Sequence, residues 1–247
     1  MLTNFKLLGI SKFAKVISYI FNGSVLVLPM FIAVCFYKQQ NYRGVMPGFI
    51  TAIFFIAVIP YMFILYLYKS GKISDLQMPK RRERFLPLLA INLSIITGFI
   101  ILLFLKSNRL LIIVYIIYLL GLPIISLITL FWKISFHSSY ITIFSIIFMI
   151  VFGKWAIFTI LLILLVSWAR IKLKIHTPGQ ILSGIIVAAI VSLCVFYVNG
   201  YFIPAHQAIK EAEIVYQGTS YHVHSFVSRI WSQLSFHNDI NYMHNLL

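Results

Sequence analysis

The chain has 247 residues, 61% of them hydrophobic and 10% charged, with a mean hydropathy of +0.97. Values this apolar exclude an ordinary soluble domain and point to a polytopic membrane protein. The formal charge of +15 is divided among short loops, with no contiguous basic domain, which excludes nucleic acid as a partner and leaves membrane lipids, anionic ones above all.

Taken in chain order, Lys6, Lys12 and Lys15 precede a first apolar run that resembles a signal peptide but lacks a small-residue cleavage site, so it is read as a span. Apolar runs predict spans over 16–37, 46–68, 85–105, 110–131, 138–153, 155–169 and 179–202, the fifth and sixth short. Residues 110–130 carry hardly a polar side chain, a helical pattern and not the alternation of a barrel strand. The expected fold is therefore all-α, a transmembrane helical bundle of about six to seven spans over 1–202 with a polar tail over 203–247. Pro60, Pro123 and Gly121 fall within spans as kinks or loosened turns, Gly184, Ala188 and Ala189 as small residues for close helix approach, and Cys35 and Cys194 as packing residues. In the tail, Phe226, Ile230, Trp231 and Leu234 suit an interfacial stripe. His222 and His224 have a metal-compatible spacing, but without cysteines and with few carboxylates nearby they are not read as a metal site.

With this span order, the loops 69–84, 132–137 and 170–178 open on one face. More Lys and Arg lie on that face, which by the positive-inside rule is cytoplasmic; setting aside Arg81, Arg82, Arg84, Arg170, Lys172 and Lys174 as candidate phosphate ligands balances the two faces. A bacterial inner membrane fits the bare architecture and short loops.

The residue inventory narrows the chemistry. The five acidic residues, Asp75, Glu83, Glu211, Glu213 and Asp239, all fall outside the predicted spans, so paired-carboxylate catalysis and aspartate-held magnesium have little to work with. No Gly-x-x-x-x-Gly-Lys loop is present. What remains is chemistry without metal or cofactor: His176 and His137 at span boundaries, one to attack phosphorus and one to protonate a leaving oxygen, with clustered Arg and Lys to neutralise the phosphoryl oxygens.

The segment Ala169 to Gly184 resembles the third signature of the type 2 phosphatidic acid phosphatase superfamily, Ser-Arg, five residues, His, three residues, Asp. Arg170 and His176 keep that spacing, with Ala169 in place of the serine and Gln180 in place of the aspartate. Ile134-Ser135-Phe136-His137 is similar to the family's Pro-Ser-Gly-His, and the loop 72–87 echoes its first, Lys- and Arg-Pro-containing signature. The resemblance covers about 72–190. It implies a nucleophile at His176, a general acid at His137, an orienting partner at Gln180 and phosphate ligands at Arg170, Ser135, Arg81 and Arg84, with Asp75 or Glu83 available to pair with those last arginines. The implied activity is metal-independent hydrolysis of a lipid phosphate or diphosphate through a phosphohistidine. Because glutamine cannot stabilise an imidazolium as a carboxylate does, the alternative is a non-catalytic protein of the same fold that binds or moves an anionic lipid. A small-molecule transporter is disfavoured by spans almost devoid of ionisable residues.

Overall fold

The computed structural model describes residues 2–37, 42–76, 78 and 80–202, so the tail histidines and the Phe226 to Leu234 stripe lie outside the described residues. The chain divides into two units, Met1–Val195 and Phe196–Leu247. All regular structure among the described residues is helical: α1 (Leu2–Ile20), α2 (Gly23–Phe36), α3 (Tyr42–Ile53), a π-helical turn (Phe54–Val58), α4 (Ile59–Lys69), a short 3-10 turn (Arg81–Arg84), α5 (Phe85–Phe104), α6 (Arg109–Phe131), α7 (Phe136–Phe152), a second 3-10 turn (Gly153–Phe158), α8 (Thr159–Lys172) and α9 (Pro178–Val198).

Among the described residues, four helical stretches are long and apolar enough to cross a bilayer, Arg43–Lys69, Arg82–Phe104, Arg109–Phe131 and Pro178–Val198, and the pair Ile10–Ile20 and Val25–Phe36 makes a fifth if counted as one. Two features account for the difference between this number and the six to seven expected. The run 16–37 is two helices meeting at a 44° bend. Further along, α7 and α8 have 17 and 14 residues, about 26 and 21 Å at 1.5 Å per residue, short of a hydrocarbon core roughly 30 Å thick. Outward-facing stripes such as Leu89, Leu93, Ile96 and Ile100 on α5, and Leu182, Ile186, Ile190 and Leu193 on α9, are exposed apolar surface. With the long apolar helices they are compatible with an integral membrane protein, since lipid is the solvent such faces suit.

The π-helical turn directly precedes Pro60, whose ring and missing N–H disturb the preceding turn, and the Phe55 carbonyl accepts the Ser94 hydroxyl at 2.7 Å. Cys35 is buried on α2 and Cys194 faces outward on α9.

Helices α7 and α8 form a hairpin, α1 packs on α8 and α2 on α7. The inner face of α7 is polar but satisfied: Ser139 donates to the Gly184 carbonyl at 3.1 Å, Thr142 to Ser138 at 2.7 Å and Ser145 to the Thr159 carbonyl at 2.9 Å. Hydroxyls bonded this way hold helices together where no water is available. The approach of α7 to α9 is close at one point. A Cβ added to Gly184 would stand 2.7 Å from the Ser135 carbonyl oxygen and 2.9 Å from the Ser139 hydroxyl. Since main chain cannot yield as a flexible side chain does, Gly184→Ala is expected to destabilise the protein by about 1–3 kcal/mol, the usual range for overpacking. Thermal unfolding in detergent measures it, and an unchanged Tm counts against this contact.

Candidate functional site

The site is built where α7 begins, α8 ends and α9 begins. Ser135 stands just before α7, fully buried; its hydroxyl oxygen accepts the Ser138 N–H at 3.4 Å, and its own N–H donates to the Gln180 carbonyl at 3.1 Å. That main-chain bond ties the first turn of α7 to the first turn of α9. His137 follows one residue into α7, 9% exposed. The Ser18 main chain on α1 lies near enough to act on its ring, and its Nε2 is buried without a partner.

Arg170 lies in the last turn of α8, 2% exposed, and donates through Nη1 to the Ser18 hydroxyl. The chain then reverses: Lys174 takes a φ of 55°, the Ile175 N–H returns to the Arg170 carbonyl at 3.2 Å, and the Lys133 ammonium donates to the Ile175 carbonyl at 2.9 Å. These bonds place His176 next, 7% exposed.

Thr177-Pro178-Gly179-Gln180 then starts α9 as a capping box. The Thr177 N–H donates to Gln180 Oε1 at 3.2 Å, the Gln180 N–H donates back to Thr177 Oγ1 at 3.4 Å, and Pro178 occupies the first helical position. This pattern decides the protonation of His176. The Thr177 N–H can only donate, so the Gln180 atom facing it is the amide oxygen. The same oxygen lies 3.2 Å from His176 Nδ1. Nδ1 must therefore carry the proton, and in the neutral ring the lone pair is on Nε2.

From the loop before α5, Arg84 reaches inward, 6% exposed, with Nε donating to the Met78 carbonyl at 2.9 Å and the guanidinium carbon 5.7 Å from the Phe136 ring centroid. Its Nη1 is buried without a partner. The Glu83 carboxylate accepts from Ser74 at 3.0 and 3.1 Å and pairs with Lys80 at 3.4 Å. Of the two arginines expected from this loop, Arg84 is seen to reach the site, and the Arg81 side chain lies outside the described residues.

Three loops distant in sequence thus meet, with Arg84, Lys133 and Arg170 all acting on the His176 imidazole. Burial first, and then these three cations, push the His176 pKa down to about 3, opposed by the bond to Gln180. Burial, with Arg84 and Arg170 behind it, also holds the Lys133 ammonium below its ordinary value. The cationic side chains gathered at the site are Arg84, Lys133 and Arg170. Two members were missed from the sequence. Lys133 was seen only as a boundary cation, and Ser18 gave no signal, because nothing local to α1 announces a contact with α8. No family model, curated protein or solved structure matches the chain.

A pH dependence follows. With a folded-state pKa near 3 against an ordinary 6.5, the folded protein holds fewer protons than the unfolded chain between those values. Stability is therefore undiminished above pH 6.5 and falls as pH drops toward 3, by at most about 1.4 kcal/mol per pH unit for one such group. The Tm in detergent is expected to fall from pH 6.5 to pH 4, and His176→Gln to lessen the fall; equal slopes for the two proteins contradict the assignment.

Proposed function

We propose that this protein is a metal-independent membrane phosphatase that hydrolyses a lipid phosphate or diphosphate through a phosphohistidine on His176. The observation that carries the reading is the buried His176 imidazole, its Nδ1 held by Gln180 and its Nε2 left for attack, inside a cluster of Arg84, Lys133 and Arg170. Burial makes the neutral, nucleophilic ring the resting form, and the cations offset the charge on the phosphoryl oxygens.

In this reading the headgroup lies among Arg84, Arg170 and Lys133, with the Ser135 hydroxyl proton available to a phosphoryl oxygen, while the lipid chain stays against the apolar helices. His176 Nε2 forms a bond to phosphorus as the bond to the lipid oxygen breaks. His137 in its protonated form delivers the Nε2 proton to that departing oxygen. Neutral His137 then takes a proton from water as the water oxygen attacks phosphorus, the P–N bond breaks, and phosphate leaves. The resemblance of Arg170 to His176 and of Ser135 to His137 to the phosphatidic acid phosphatase signatures supports the same roles.

One observation favours the alternative, a non-catalytic protein that binds or moves an anionic lipid. Gln180 is an integral part of the α9 cap and carries no charge to steady an imidazolium. Because its oxygen already sits on Nδ1, Gln180→Glu, which keeps the side-chain length, is the informative substitution. Phosphate release from phosphatidic acid and from a prenyl diphosphate in detergent with EDTA is expected for wild type, lost by roughly 10³-fold or more in His176→Asn, and raised in Gln180→Glu. Release only in Gln180→Glu supports the binding protein, whereas full activity in His176→Asn removes the phosphohistidine.

A further inference from the structure

Resting on the phosphatase reading, we propose that Ser18 of α1 is a positioning residue of the site, its hydroxyl fixing the Arg170 guanidinium for the phosphate. Ser18 is 1% exposed and accepts from Arg170 Nη1 through its side chain, across 152 residues of sequence. Its main chain lies near enough to act on the His137 ring. One residue thus meets the arginine with an atom that mutation removes and the histidine with main chain that mutation leaves in place.

The bond matters because the guanidinium ends a long, rotatable side chain. A guanidinium binds two phosphoryl oxygens only when its plane is held, and an arginine left to choose among rotamers loses that advantage. His137 Nε2 is buried without a protein partner, within reach of the charges of Arg170 and Arg84. Packing keeps α1 in place: Phe13 meets Trp168 of α8 with ring centroids 6.0 Å apart, and Ala14 and Ile17 are buried. The first helix therefore forms one wall of the phosphate pocket.

The side-chain and main-chain roles separate experimentally. Inorganic phosphate is titrated onto wild type, Ser18→Ala and Ser18→Thr in detergent, reading the phosphate-induced rise in Tm, and KM, kcat and the pH profile are measured with phosphatidic acid. Phosphate affinity is expected to weaken about tenfold in Ser18→Ala, as for loss of one hydrogen bond to a charged group. Ser18→Thr, which keeps a hydroxyl, is expected to recover most of it. KM should rise more than kcat falls, and the pH profile should keep its shape because the main chain at His137 is unchanged. A lower Tm without phosphate but an undiminished phosphate affinity in Ser18→Ala would make Ser18 merely structural and overturn the proposal. So would a wild type that binds no phosphate. A wild type that binds phosphate without hydrolysing lipid, with the Ser18→Ala loss intact, sinks the phosphatase reading and leaves Ser18 in its place.

Discussion

Ser135 donates its N–H to the carbonyl of Gln180, and the missing side chain at Gly184 lets the two helices come near enough for that bond to form. Both candidate imidazoles hang from this junction. His137 is set by the first turn of α7, and His176 by the capping box that begins α9. If the helices moved apart, the rings would separate even though neither residue had changed. The hydroxyl bonds from α7 to Gly184 and Thr159 extend the same constraint along the hairpin, so the site is held by main-chain geometry more than by contacts among its own charged groups.

Gathering Arg84, Lys133 and Arg170 about a buried imidazole works against stability. Like charges repel, and each loses hydration on entering the protein interior. The fold relieves part of this with carbonyl acceptors, Met78 for Arg84 and Ile175 for Lys133, while leaving Arg84 Nη1 and His137 Nε2 without protein partners. An anion would satisfy the Arg84 donor, and His137 Nε2 as well when that nitrogen carries a proton. Such local conflict between stability and arrangement is typical of binding and catalytic sites.

Much of this arrangement was legible in the sequence where it depends on short spacing. Arg170 and His176 are joined by one helix end and one turn, and Ser135 with His137 by the start of the next helix, so a local pattern brings each pair to the site. The capping box in Thr177 to Gln180 was equally local; reading Gln180 only as a lost aspartate passed over its main-chain role. That Arg84 turns inward could not be read from sequence, because it depends on the 3-10 turn at Arg81–Arg84 and on the Met78 carbonyl. Hydropathy separated the runs 138–153 and 155–169, where the 3-10 turn Gly153–Phe158 follows α7, but it measures only how apolar a run is and did not register the bend near Asn22 within 16–37.

The bond between Arg170 and Ser18 has a bearing on assembly. Chains are made from the N-terminal side, so Ser18 is in place long before its partner exists, and α1 must wait beside incomplete neighbours until α8 emerges. Contacts this distant in sequence are slow to close and come late. The cationic cluster therefore has no enclosed form during synthesis, and the pocket becomes a pocket only when nearly the whole helical bundle is present to shut it.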